Sequence, residues 1–226
     1  MNTVLKIERP YLNRREAGQA LAASLRGEDI GTDPVVLALP RGGVPVAAEV
    51  AEALDLPIEV FVVRKLGFPG QPELAMGALA SGGVQLLDEE LIARTGVSHE
   101  EVAAVIDREH DELRRHEQIY RPRRMLTLGT RSAVIIDDGL ATGFTMRAAV
   151  AALRRTGCVH LTVAVPVGAE ETCAEFAHEV DLLVCPLRPE TFDAVGRWYE
   201  DFHQVTDEEV SACLTRVAWA HGGTSA

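Results

Sequence analysis

The sequence predicts an α/β fold built on a doubly wound parallel sheet of about five strands. Three observations lead there. Short runs rich in aliphatic and β-branched residues, at 35–39, 58–63, 133–136, 161–165 and 182–185, have the length and content of strands buried on both faces. Helical patterns separate most of them, and strand–helix alternation implies right-handed crossovers between parallel strands. The chain has 226 residues, 47% of them hydrophobic, enough for one generous core but not for two comfortable ones. It therefore reads as one domain, residues 1–226, with a core at about 35–186.

In chain order, residues 14–25 form a short amphipathic helix with Ala17, Leu21 and Leu25 on one face. The strand at 35–39 runs into a Gly pair and an Ala-rich helix at 44–54. After the strand at 58–63, residues 70–87 read as a small antiparallel hairpin inserted into the core. Ser98 and Glu101 make a capping box for a long charged helix towards Tyr120, with Val102, Val105, Ile106 and Leu113 as a weak apolar stripe. That helix is either a solvated surface element or an arm that covers a site or pairs subunits. The strand at 133–136 leads to a helix at 146–155 with Ala149, Val150 and Leu153 inward and Gly157 beyond its end. The strand at 161–165 is followed by a helix at 169–178 burying Cys173, Phe176 and Ala177. A last strand at 182–185 precedes a C-terminal helix, which opens with a Thr206–Glu209 capping box and docks through Val210, Cys213, Leu214 and Val217. Residues 221–226 look frayed.

Composition excludes several classes. With 22 Lys and Arg against 34 Asp and Glu, the net charge is −12, unsuited to holding nucleic-acid phosphate, and no nucleic-acid partner is expected. Charges at Glu8, Arg9, Arg14, Arg15 and Glu16 break up any signal-peptide core, and no apolar run approaches a membrane span, so the expectation is a soluble cytoplasmic protein with no membrane partner. Cys158, Cys173, Cys185 and Cys213 lack metal or redox spacing, and no H-x-x-x-H pair occurs, so no structural metal is expected.

The chemistry concentrates at residues 133–146, where an apolar strand ends in Asp137 and Asp138. A loop of Gly139, Leu140, Ala141, Thr142, Gly143 and Thr145 then opens straight into a helix. In doubly wound sheets ligands sit beyond the carboxyl ends of the strands. Glycines and small residues let backbone N–H groups approach an anion, the helix N-terminus adds positive potential, and threonine hydroxyls donate further. Adjacent carboxylates suit the vicinal hydroxyls of a sugar. Together they ask for a phosphorylated ribose, its 5′-phosphate in the loop and its O2′ and O3′ on the acids.

This strand, acid pair and Gly/Thr loop resemble the phosphoribosyl pyrophosphate (PRPP) signature of the type I phosphoribosyltransferases, over about residues 35–186. The resemblance implies a hood over the acceptor, drawn from 1–30, 68–90 and 187–205. It implies that Arg41, Gly42 and Gly43 form the pyrophosphate loop, that Lys65 and Arg64 face the pyrophosphate, and that Asp137, Asp138, Arg41 and Lys65 carry the catalysis. The cofactor implied is Mg2+ held by substrate oxygens, the partners PRPP and a small nitrogenous acceptor, and the assembly a homodimer. The expected activity is transfer of phosphoribose to a nitrogen acceptor such as a nucleobase, with release of pyrophosphate. The alternative is a non-catalytic regulator of the same fold that senses PRPP or a nucleotide. Trp198, Tyr199 and Phe202 either stack on a base or pin the tail to the core. Ala141 stands where 6-oxopurine enzymes of the family carry an acid, so hypoxanthine and guanine are disfavoured, and the loop is closer to those of adenine and uracil enzymes.

Overall fold

The structure, a computed structural model, describes residues 9–120 and 130–222. Its centre is a five-stranded sheet of β1 (Val35–Ala38), β2 (Ile58–Val60), β6 (Ala133–Ile136), β7 (Leu161–Ala164) and β8 (Leu182–Val184), ordered β2-β1-β6-β7-β8. Every neighbouring pair is parallel. The period-two alternation of a strand assigns its residues to two faces. Val36, Ala38, Val134 and Ile136 pack with α1 (Arg14–Leu25), α2 (Gly43–Leu54) and the C-terminal α7 (Asp207–Gly222). Val35, Leu37, Ala133 and Ile135 pack with α5 (Phe144–Arg155) and α6 (Glu170–Glu179). Both faces are thus covered, as the continuous apolar strands require.

The run at 58–63 is not one strand. β2 ends at Val60, and Val62 hands the chain to a second sheet by donating its N–H to Ser81 Oγ (3.0 Å) while accepting from Ser81 N (2.9 Å). That sheet is antiparallel, with β3 (Val63–Phe68), β4 (Gln71–Ala80) and β5 (Val84–Leu87) in sequential order. The expected hairpin at 70–87 is therefore the second half of a three-stranded sheet, which rests on α5 and on α4 (His99–Tyr120). Between them lies α3 (Glu89–Thr95), capped by Asp88.

Both expected capping boxes form: Ser98 and Glu101 bond each other's backbone N–H, as do Thr206 and Glu209. In α4, Val102, Val105 and Leu113 are buried, and Arg114–Asp111 and Arg115–Glu112 pairs line its outer face. In α6, Cys173 and Phe176 are buried but Ala177 faces solvent, a correction to its expected inward position. Of the frayed C-terminus expected at 221–226, residues 223–226 lie outside the described residues.

Near the carboxyl ends of the strands the two ends of the described chain meet. Tyr11 pairs with Tyr199, its N–H reaching Trp198 O (2.9 Å), and Glu200 N donates to Tyr11 O (2.8 Å). Tyr11, Tyr199, Val167 and Leu187 form a small separate core there. This pairing delivers the start of α1 to the acid pair after β6.

Candidate active site

Beyond Ile136 the chain re-pairs with its neighbour instead of wandering. Leu140 donates its N–H to Val167 O (2.9 Å) and accepts from Ala169 N (2.9 Å). The next two carbonyls are also held: Ala141 O accepts from Thr172 Oγ1 (2.7 Å) and Thr142 O from Arg147 Nη1 (3.0 Å). In a planar trans peptide the C=O and N–H point oppositely. Anchoring these three carbonyls therefore turns the N–H groups of Ala141, Thr142 and Gly143 away from their anchors. The first turn of α5 follows at once, with N–H groups that have no intrahelical partner. Such a row can serve as an anion cradle. Arg147 is itself fixed, stacked on Phe176 (4.9 Å to the ring centroid) and paired with Glu175 and with Glu179 (3.3 Å). Gly143 has φ +71°, and a Cβ there would stand 2.5 Å from the Phe176 ring, so the sharp entry into α5 demands glycine.

The acids sit just before this cradle. Arg14 grips Asp138 Oδ2 through Nε and Nη2, both at 2.9 Å, while the Tyr199 hydroxyl donates to Asp138 O at 2.6 Å. Asp138 N in turn donates to Asp137 Oδ1 (2.8 Å). The loop after β1 lies against both acids: a Cβ on Gly42 would collide with Asp138 Oδ2, and one on Gly43 would come 2.7 Å from Ile136 O and 2.9 Å from Asp137 Cα. Two successive glycines are thus a steric condition for seating this loop on the acid pair. Burial pushes Asp137 well above the ordinary carboxylate range, and the Asp138 charge adds to it. Burial also raises Asp138, with the Arg14 guanidinium pulling the other way.

A cavity of about 410 Å3 is lined by Arg14, Arg41, Gly42, Asp138 and residues 202–205; Asp137 is not among its lining residues. Arg41 reaches Asp207 Oδ1 at 3.7 Å, and the same oxygen accepts from Tyr120 (2.6 Å), joining the loop to the ends of α4 and α7. Burial, with Asp207 alongside, pushes the Tyr120 phenol up to about 12. The Pro40–Arg41 peptide is cis.

Not every expected site residue comes to this cavity. Arg64 and Lys65 lie within β3 of the antiparallel sheet, not at the end of a parallel strand as expected. Arg64 is paired with Glu109 of α4 at 2.8 Å, and Lys65 Nζ lies 5.7 Å from the ring of Phe144, the first residue of α5. Thr142 and Thr145 are exposed beside the cradle. Of the aromatic trio, Tyr199 is buried, and Phe202 is flanked by Arg14 (4.0 Å) and Tyr199 (5.1 Å between centroids). Those contacts favour pinning over stacking on a base. Among the described residues there is no group of three or more His, Cys, Asp or Glu that could hold a metal ion.

Sequence reasoning missed Arg14, Thr172, Arg147 and Asp207. Arg14 did leave a trace: a cation in the first turn of a helix opposes the helix dipole, which suggests a tertiary partner.

Comparison with known proteins agrees with this geometry. The phosphoribosyl transferase domain family matches residues 11–185. Two curated proteins from Mycobacterium tuberculosis strains, both named provisionally as phosphoribosyl transferases, are 45% identical over 205 residues, covering 90% of this chain and 46% of theirs. The chain thus spans about half the length of the curated relatives it matches. A crystal structure of the protein TT1426 from Thermus thermophilus superposes with a TM-score of 0.80 at 39% identity, covering 92% of this chain and 98% of that one. With the domain match spanning the parallel sheet, the acid pair and the anion cradle together, the chain belongs to the phosphoribosyl transferase family.

Proposed function

We propose that this chain transfers the 5-phosphoribosyl group of PRPP to a nitrogen acceptor and releases pyrophosphate. One observation carries the reading: a row of outward-turned N–H groups stands directly beside an acid pair seated on the Arg41–Gly43 loop. The cradle would take the 5′-phosphate, the acids the ribose hydroxyls, and Arg41 with the amides of Gly42 and Gly43 the pyrophosphate. In the reaction the bond from C1′ to the pyrophosphate oxygen breaks and a bond from the acceptor nitrogen to C1′ forms, through an oxocarbenium-like state. The Asp138 carboxylate would favour the positive charge growing on the sugar, and fixed donors would stabilise the departing anion, work that preorganised groups do best. A Mg2+ ion brought in with the substrate would supply positive charge against the leaving group, beside the donors of Arg41, Gly42 and Gly43. Lys65, near the start of α5, would assist from the cradle side, whereas Arg64 is committed to Glu109.

A pyrophosphate-release assay with a panel of nucleobases and other amines tests the proposal. Release that depends on one acceptor class supports it; PRPP binding without turnover for any acceptor would favour a sensing role instead. Within the panel, hypoxanthine and guanine are expected to be poor substrates. Ala141 offers no carboxylate to their ring nitrogens, and a missing partner for a buried polar edge costs about 1–3 kcal/mol. A kcat/KM for either that exceeds all other acceptors would refute this.

A further inference from the structure

Arg14 contacts both Asp138 and the 202–203 segment at the cavity. It is the first residue of α1, buried to 7% exposure, whereas most of the other described arginines are exposed. Nε and Nη2 converge on Asp138 Oδ2, Nη1 donates to His203 O (2.9 Å), and the guanidinium plane stacks on Phe202. Three of the segments that frame the acids meet in this one side chain: the N-terminal helix, the strand end after β6, and the 202–205 segment. Both Arg14 donors to Asp138 fall on the same oxygen, Oδ2.

Resting on the transferase reading, we propose that Arg14 is a positioning residue: it aims the Asp138 carboxylate over Gly42 for the ribose of PRPP and makes the seating of α1 and residues 202–205 a condition of that aim. A guanidinium fork fixes carboxylate direction in a way that a point charge does not. The groups that share Asp138's surroundings are Asp137 on the same strand end, Arg41 with Asp207 behind it, Tyr199 and His203 after β8, and Tyr11 beside Tyr199. Within that set it is Arg14 that pairs directly with the Asp138 carboxylate as a cation.

Arg14→Gln and Arg14→Lys test the idea through PRPP binding by calorimetry, carboxyl-carbon NMR titration of Asp138, and turnover. In Arg14→Gln the Asp138 midpoint should rise by about one pH unit or more. The acidic limb of PRPP affinity should move the same way, and kcat should fall about 100-fold with misaligned chemistry. Arg14→Lys should recover most of the midpoint but only part of the rate. A lowered Tm with the Asp138 midpoint and the pH dependence of PRPP affinity unchanged would overturn the proposal, reducing Arg14 to a structural tie. Should Arg14→Gln fail to fold, Arg14→Lys decides alone: PRPP affinity and kcat equal to wild type would overturn it. Titration and binding need no turnover, so a protein that binds PRPP but transfers to no acceptor would defeat the transferase reading while leaving Arg14's hold on Asp138 measurable.

Discussion

Asp137 and Asp138 are adjacent in sequence yet keep different company. Asp138 has a guanidinium on it, whereas Asp137 is half-buried beside a like charge, and both desolvation and that charge favour its protonated form. The linkage has a definite sign. A carboxyl whose folded pKa lies above its unfolded value binds more protons when folded, so its contribution to stability is full below the unfolded value and is lost as pH rises through the folded one. Asp137→Asn should therefore stabilise the protein at neutral pH, by an amount typical of relieving an active-site conflict, about 1 kcal/mol or 2–4 °C in Tm. The gain should shrink towards zero as pH falls below about 4, the ordinary Asp value, and turnover should be lost. Thermal melts across pH check it: a gain that grows on acidification would contradict the assignment. Arg41 belongs to the loop after β1. Arg41→Ala should weaken pyrophosphate-bearing ligands far more than ribose 5-phosphate, because the cradle lies on a different loop; equal losses by calorimetry would show the two sites to be misassigned.

The anion cradle is legible in sequence because its requirements are local: a strand, small residues and a helix start. The sequence of residues 133–146 carries all of these, and β6 lies where its β-branched run places it. The turn at Val62 was not legible, since residues 58–63 are mostly apolar and nothing in such a run records which sheet each residue joins; the partner that decides it, Ser81, is 19 residues away. The anchors behind the cradle were hidden for the same reason. Thr172 reads as an ordinary helix residue and lies 31 positions from the Ala141 carbonyl it holds, while Arg147 is only five from Thr142 but is steered by Phe176, Glu175 and Glu179 of α6. Gly143 tests this local design. Gly143→Ala would place a Cβ against Phe176 at a left-handed backbone position, at a cost of about 2 kcal/mol or more. Ribose 5-phosphate affinity should fall along with Tm, and a variant with wild-type affinity would mean that the cradle is not the phosphate site.

Across the whole chain, the first and last described helices are tied to one another through α2. Glu49 of α2, 7% exposed, receives Gln19 of α1 at 3.0 Å and Arg216 of α7 at 2.6 Å, and Arg216 also reaches Glu52. Both ends of the described chain therefore lean on the helix that begins with the Gly43 loop, and both return to frame the cavity. No helix among the described residues is long and apolar enough to cross a membrane. The net charge of −12 means that a polyanionic ligand approaches against the overall field, so its capture depends on local groups. Here the three anchored carbonyls have a kinetic consequence. Because Leu140, Ala141 and Thr142 already have their oxygens tied back, these three peptides need not rotate to present N–H groups, and phosphate binding is expected without a slow ordering step. Stopped-flow mixing with ribose 5-phosphate should give a single phase whose observed rate climbs linearly with ligand concentration. Replacing Thr172 with Val should bend that line towards a plateau, as loop ordering becomes the slower event.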